Sequence, residues 1–349
     1  MTVRFYKNGD EEQIQALFKK VFHKERAIKD WKWKFIDHPL QTNPFILVFE
    51  EEGKILGHIA LWVSEAFING KVKEIALRVD TMVDPDARGK GIYNQLNRTM
   101  LEEAEKHNID LLYGFPAPKA KELLLKSTGA IHVDNIARYV YIMDPTSLAA
   151  AILPVLSPLK GLGKIYKHLQ MKKVKQLVLP TGWKWEKVDR FDESYTTLAG
   201  ETKHVKPIML KRDADYLNWR FMEHPYYNYS VFQLTQNEKS QGYVVIKKEE
   251  VDFKKGRITI GSIVDVLAYN DEETWKHLLY GAIQQLSDVD IIQTWMMSDT
   301  MSSEILEKIG FKLKDRPMPL VIHDIANDAE ANAGHHTSWW ITQGDVDSF

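Results

Sequence analysis

The chain repeats itself, and that repeat limits what it can fold into more than any other feature. Trp33-Lys34-Phe35-Ile36-Asp37-His38-Pro39 returns as Trp219-Arg220-Phe221-Met222-Glu223-His224-Pro225, 186 residues later. Gly57 is answered by Gly242 and Val79-Asp80 by Val264-Asp265, each at a spacing of 185. Ile109-Asp110 is answered by Val289-Asp290 at 180, and Gly129 by Gly310 at 181. Matches that keep one order while the spacing drifts slowly point to two divergent copies of one unit. We expect the copies at 1–145 and 185–325, a helical connector at 146–184 and a tail at 326–349. A length of 349 residues suits two domains of ordinary size.

Within each copy the apolar residues switch between helical and strand periods. Ile14, Leu17, Phe18, Val21 and Phe22 share one helical face, with Asp10 and Gln13 spaced like a capping box ahead of them. Phe45–Phe49 reads as a buried strand, and Glu52-Gly53 turns the chain into a second strand from Ile55 to Val63. Ile75, Leu77, Val79 and Val83 place one face of a third strand in the core, which leaves Asp80 on the other face. Helices are expected at 92–106 and 119–127, around a strand at 109–115. In the second copy Trp275, Leu278, Leu279, Ala282, Ile283 and Leu286 form a regular helical stripe. The order predicts an α/β (α+β) fold: a mixed, mostly antiparallel sheet flanked by helices, built twice. In the connector, the lysines from Lys160 to Lys175 read as a solvated helical face.

Composition removes several function classes. The sequence has no cysteine, which excludes disulfides, thiolate nucleophiles and cysteine-ligated metals. No H-E-x-x-H occurs and His335-His336 lacks neighbouring ligands, so no metal is expected. A formal net charge of −2 gives no general attraction to nucleic acid. The N-terminus lacks a secretory pattern, and the most apolar stretch, 147–162, is interrupted by Pro154 and Pro158. The expectation is a cytoplasmic protein with no membrane partner.

Chemistry concentrates in Val83-Asp84-Pro85-Asp86-Ala87-Arg88-Gly89-Lys90-Gly91-Ile92-Tyr93. A strand runs into a glycine-rich turn that opens directly into a helix. Glycines let an anion approach the backbone, and the first-turn N–H groups have no partner within the helix. With the helix dipole, and with Arg88 and Lys90 alongside, this is a pyrophosphate cradle. It is neither a Walker loop nor a G-x-G-x-x-G turn, and no G-x-S-x-G is present.

Arg88-Gly89-Lys90-Gly91-Ile92, in this setting, resembles the R/Q-x-x-G-x-G/A motif of the GNAT superfamily of N-acyltransferases. The resemblance covers 1–145 by order of elements and 185–325 by topology, and Tyr113-Gly114-Phe115-Pro116 resembles a bacterial subgroup with two such domains. It implies acetyl-CoA (or another acyl-CoA) as cosubstrate, bound by Arg88, Gly89, Lys90, Gly91, Ile92 and Tyr93. It implies direct attack on the thioester by the amine of a small molecule or peptide. A backbone N–H at Met82 or Val83 would polarise the thioester carbonyl. Asp80 and Glu74 are candidate bases. Alignment on Gly129 puts Leu125 where the family often has a tyrosine acid, so another group or solvent would do that work, with Tyr93 and Tyr113 as candidate substitutes or else packing residues. Tyr93 itself stands where the family usually has Gly or Ala. In the second copy Ala268-Tyr269-Asn270-Asp271-Glu272-Glu273 fills the matching turn with acids and no glycine, so that copy is expected not to bind CoA. Two further readings share these features: a non-catalytic CoA-binding or regulatory protein, and an aminoacyl transferase of the tandem-GNAT type.

Overall fold

The computed structural model describes residues 2–173 and 178–347. The first half supplies strands β1 (Thr2–Phe5), β2 (Phe45–Glu51), β3 (Lys54–Ile68), β4 (Lys71–Val83), β5 (Ile109–Gly114) and β6 (Ile131–Ile142). The second supplies β7 (Trp183–Val188), β8 (Ile208–Leu210), β9 (Ser230–Gln236), β10 (Lys239–Phe253), β11 (Gly256–Ala268), β12 (Ile291–Met296), β13 (Lys312–Asp324) and β14 (Trp339–Trp340). Helices α1 (Glu11–Phe22), α2 (Ile28–Phe35), α3 (Ile92–Lys106) and α4 (Pro118–Ser127) belong to the first half. Helices α5 (Pro145–Ile152) and α6 (Lys160–Lys173) connect the halves. Helices α7 (Glu193–Glu201), α8 (Ala214–Leu217), α9 (Glu272–Gln285) and α10 (Met301–Ile309) belong to the second.

One sheet runs through the molecule in the order β1-β2-β3-β4-β5-β13-β6-β12-β11-β10-β9-β7. The order reads alike from either end, because each half contributes the same run of strands, antiparallel up to a final parallel pair, and then exchanges its last strand. Strand β13 pairs with β5 from Asp324 to Val321, and β6 pairs with β12 from Ile142 to Ala137. Exchange makes each half's sheet depend on the other's final strand, so neither closes alone. The long β3–β4 hairpin is set locally by Asn69-Gly70, whose φ values of 49° and 76° suit a two-residue turn matched to strand twist.

The repeated tryptophans meet where the halves meet. Trp33 and Trp219 stack with centroids 5.1 Å apart. Each indole Nε1–H donates to the other's backbone carbonyl, at 2.9 Å from Trp33 and 3.0 Å from Trp219. His38 sits 4.2 Å from Trp219 and His224 4.4 Å from Trp33, a reciprocal arrangement. The motif that recurs in sequence is therefore a contact between the two halves.

Two sequence expectations change here. Asp10 precedes α1 but does not cap it; its carboxylate accepts from Arg4 at 2.7 Å and from the Lys7 amide at 2.9 Å. Gln13 instead accepts from the Ile55 amide and donates to the Gly53 carbonyl, pinning α1 to the β2–β3 turn. The expected connector also holds the start of a strand, since β7 begins at Trp183. Of its lysines, Lys172 is exposed, Lys167 is half-buried, and Lys175 lies outside the described residues. Among the described residues no helix is long and apolar enough to cross a membrane.

Candidate active site

Strands β4 and β5 run parallel and paired from Glu74↔Ile109 to Leu77↔Tyr113, then part. Beyond Leu77, strand β4 continues to Val83 paired only with β3, and β5 gives way to Gly114–Ala117. The split opens a cavity of about 880 Å³. Its walls come from β4, the glycine turn, the start of α3, the β5–α4 loop and α1. The second half adds Val321 and His323 from the exchanged strand β13, and Asp347 from the tail.

The turn at the mouth has the expected conformation. Gly89 and Gly91 adopt φ values of 87° and 74°, a region costly for other residues. A Cβ at Gly89 would meet nothing within 4 Å, so the requirement there is conformational and the space beside the turn is open. Gly91 is the N-cap of α3 and gives no side-chain cap, which leaves the first-turn amides free to receive an anion. Lys20 holds the loop by bonding Asp84 at 2.6 Å and Asp86 at 2.7 Å. Arg88, Gly89, Gly91, Ile92 and Tyr93 line the cavity; Lys90 does not, and its amine pairs with Glu51 at 3.0 Å.

Of the two candidate thioester contacts, Val83 lines the cavity and Met82 does not. Asp84 N–H donates to Leu56 O at 2.8 Å. Antiparallel alternation then keeps the Met82 amide in the ladder with His58 and turns that of Val83 toward the split.

Asp80 departs from expectation. It sits at a β-bulge where two β4 residues oppose Ile59, with φ of 46°. The bulge breaks the strand alternation and swings its carboxylate to the α1–α2 side, between Arg26 and Lys34. Arg26 Nη1 donates to one oxygen and Lys34 Nζ to the other, at 2.8 Å for the lysine. The three side chains are 9%, 12% and 7% exposed for Arg26, Lys34 and Asp80. Burial alone would raise the Asp80 carboxyl, but Lys34 and Arg26 hold it well below the ordinary carboxylate range. A carboxylate so engaged is a poor proton acceptor. Glu74 accepts from Thr42 Oγ1 at 3.0 Å and lies outside the cavity.

Tyr93 is half-buried in the cavity wall, and burial raises its phenol against the opposing charge of Arg78, so it stays protonated. Tyr113 is a core residue beside Phe115 and Trp339, outside the cavity lining. Leu125 is exposed and also outside it. His323 Nε2 donates to the Thr128 carbonyl at 2.7 Å, and burial lowers its pKa to about 4, so it is neutral at pH 7.

The matching split in the second half is filled. Strands β11 and β12 pair only as far as Ile263↔Thr294. The tail enters the gap: Thr342 bridges Met296, its hydroxyl donates to Asp265 at 2.6 Å, and Trp340 packs on Trp275 at 5.5 Å. Strand β14 is the docked start of this tail, parallel to β8. Helix α9 is capped by its own Asp271, which accepts from the Thr274 amide at 2.8 Å. A carboxylate thus occupies the position that a phosphate would need. Among the described residues no three His, Asp or Glu side chains converge as a metal site requires.

A split between parallel strands, floored by a bulge and headed by an uncapped glycine turn, thus opens a cavity beside free helix amides. Residues 2–121 match the family described as the Acetyltransferase (GNAT) domain. Among curated proteins none matches the chain in sequence. The fold is similar to that of a GCN5-related N-acetyltransferase from Anabaena variabilis, with a TM-score of 0.67 at 13% identity over 93% of this chain and 72% of that one. Eis1 from Mycobacterium abscessus gives 0.59 at 15%, over 96% and 76%. The Saccharomyces cerevisiae N-myristoyltransferase with bound myristoyl-CoA gives 0.56 at 10%, over 91% and 80%. These likenesses establish a GNAT-type mixed α/β fold.

Proposed function

We propose that the protein is an acyl-CoA-dependent N-acyltransferase made of two tandem GNAT-like units, of which only the first binds CoA. The observation that carries this reading is the uncapped N-terminus of α3, with Gly89 and Gly91 at positive φ, opening onto the cavity of the β4–β5 split. The pyrophosphate rests on the first-turn amides of α3, and the pantetheine arm follows β4 into the split. Val83 N–H donates to the thioester oxygen as negative charge develops there. The acceptor is the amine of a small molecule or peptide. Its nitrogen attacks the carbonyl carbon, the C–S bond breaks, the thiolate takes a proton from Tyr93, and the proton lost by the nitrogen passes to solvent water, which returns one to the Tyr93 phenolate. Holding both reactants in one cavity supplies much of the acceleration. Asp80 holds the bulge in place rather than acting as base.

Calorimetry with acetyl-CoA tests the binding step. Gly91→Glu puts a carboxylate where the phosphate would sit and should abolish binding, while the melting temperature falls by no more than a few degrees. Retained affinity would remove the first unit as the CoA site. Thiol release over a panel of amines tests transfer. Tight binding with no turnover on any amine would favour a CoA-binding protein without catalysis, the reading suggested by Leu125 at the usual acid's position.

A further inference from the structure

Arg78 is a half-buried cation, with two of its guanidinium nitrogens buried, and no carboxylate is bonded to it. It lies on β4 one residue past the last β4–β5 pair, and its side chain lines the cavity. Nη1 donates to Asn97 Oδ1 at 2.6 Å. Nε and Nη2 are buried and have no hydrogen-bond partner. Of the acids that line the cavity, Asp80 is held by Arg26 and Lys34, and Asp347 accepts from Lys34 at 3.1 Å. Burial lowers the arginine's pKa to about 10, which still leaves it fully charged at neutral pH. An uncompensated guanidinium in an apolar wall is costly, so it calls for an anion that arrives with a ligand.

Its position narrows what that anion can be. Strand alternation puts Arg78 with Ala76 on the α3 side of the sheet, and its bond to Asn97 of α3 agrees. That is the side on which the thioester carrier enters over the glycine turn; Asp80 and the α1–α2 elements lie on the other. Arg78 stands five residues before Val83, roughly 15 Å along the strand at about 3.3 Å per residue. Its guanidinium bonds Asn97 on the second turn of α3, so it stands one turn deeper in the split than the first-turn amides that would hold a pyrophosphate. Gly114, facing Arg78 across the split, would bring a Cβ to 3.4 Å of the Arg78 Cβ and 4.0 Å of its Cδ; without one there is room along the arginine's stem. In the filled split of the second half, the residue 185 positions on is Ile263, a buried core residue. The charge is present in the half that has the cavity and is replaced by an apolar side chain in the half that does not.

We propose that Arg78 is a specificity residue that receives a terminal carboxylate on the acyl chain, so that the preferred donor is the CoA thioester of a dicarboxylic acid. This rests on reading the cavity as an acyl-CoA site. The two free nitrogens, Nε and Nη2, form the edge of the guanidinium fork that binds a carboxylate with two parallel hydrogen bonds.

Calorimetry without acceptor compares free CoA, acetyl-CoA, butyryl-CoA and succinyl-CoA, the last two having acyl chains of equal length. Wild type should bind succinyl-CoA about 10–100-fold more tightly than butyryl-CoA. Arg78→Met should bind free CoA as wild type does and reverse the order of the two thioesters. Arg78→Lys, which keeps the charge but not the fork, should fall between them and guards against a folding defect in the first variant. Equal wild-type affinity for the two thioesters, or a preference that survives in Arg78→Met, overturns the assignment while leaving CoA binding intact. Failure of every thioester and of free CoA to bind overturns the acyl-CoA reading itself.

Discussion

Replacing Asp80 by Asn separates a structural carboxylate from a catalytic one. The substitution keeps the shape and removes the negative charge that Arg26 and Lys34 share. Lys34 retains Asp347 at 3.1 Å, but Arg26 keeps only the neutral Gln15 oxygen, at 2.8 Å and 3.0 Å. Stranding a cation at this depth costs about 3–5 kcal/mol when a buried pair is broken from one side. For a chain of this size that is a fall of roughly 5–10 °C in melting temperature. The pH dependence gives an independent check. The folded Asp80 carboxyl lies below its unfolded value of about 3.9, so its stabilisation is complete above that value and is lost as pH falls toward the folded one. The gap between wild type and Asp80→Asn should therefore be widest at neutral pH and shrink below about pH 4. Denaturant titrations at pH 7, 5, 4 and 3 measure the gap, and thiol release at 15 °C measures turnover of the folded variant. We expect turnover within a few-fold of wild type. An unchanged unfolding midpoint with turnover lowered by about 100-fold or more would refute the argument and restore Asp80 as the general base.

Two other outcomes can be checked by similar means. Trp33→Ala and Trp219→Ala should each destabilise by about 3–5 kcal/mol, and the double variant by about 1–3 kcal/mol less than their sum, because each indole loses the same stacked and hydrogen-bonded partner. Strict additivity in denaturant unfolding would mean that the contact does not join the halves. Tyr93→Phe should slow thiol release about 10–100-fold with acyl-CoA affinity unchanged, and a rate equal to wild type would remove Tyr93 as the proton donor.

Features encoded over short distances were legible in the sequence. Helix α3 begins at Ile92 and ends at Lys106, where the spacing puts it, and Gly89 and Gly91 have the positive φ that their use in a cradle requires. The exchange of β6 and β13 was not legible, because two copies with intact final strands and two with swapped ones have the same periodicity. Asp80 was misread because one residue of bulge reverses which face a strand side chain occupies. Arg78 sits in an unremarkable alternation, and its lack of a carboxylate partner follows only from what surrounds it in space. The tail was legible as a segment outside the two expected copies, but not as the occupant of the second split.

The filling of that split explains how a repeated fold can hold one site. A parting pair of parallel strands exposes backbone groups and apolar walls, which must be covered by ligand, water or protein. In the second half protein does this permanently. Arg212 bonds Asp265 at 3.2 Å and Asp345 at 2.7 Å, and Arg220 donates to the carbonyls of Gly344 at 3.0 Å and Val346 at 2.9 Å. Arg212 and Arg220 stand 186 residues after Arg26 and Lys34, and Asp265 stands 185 after Asp80. One buried ion cluster thus occurs at both splits, and the tail is bonded to both through Asp345 and Asp347. Since Asp347 lines the open cavity and Asp345 helps close the other, the segment that removes one site also forms a wall of the other. The second half therefore bears on the cavity of the first through β13 and the tail.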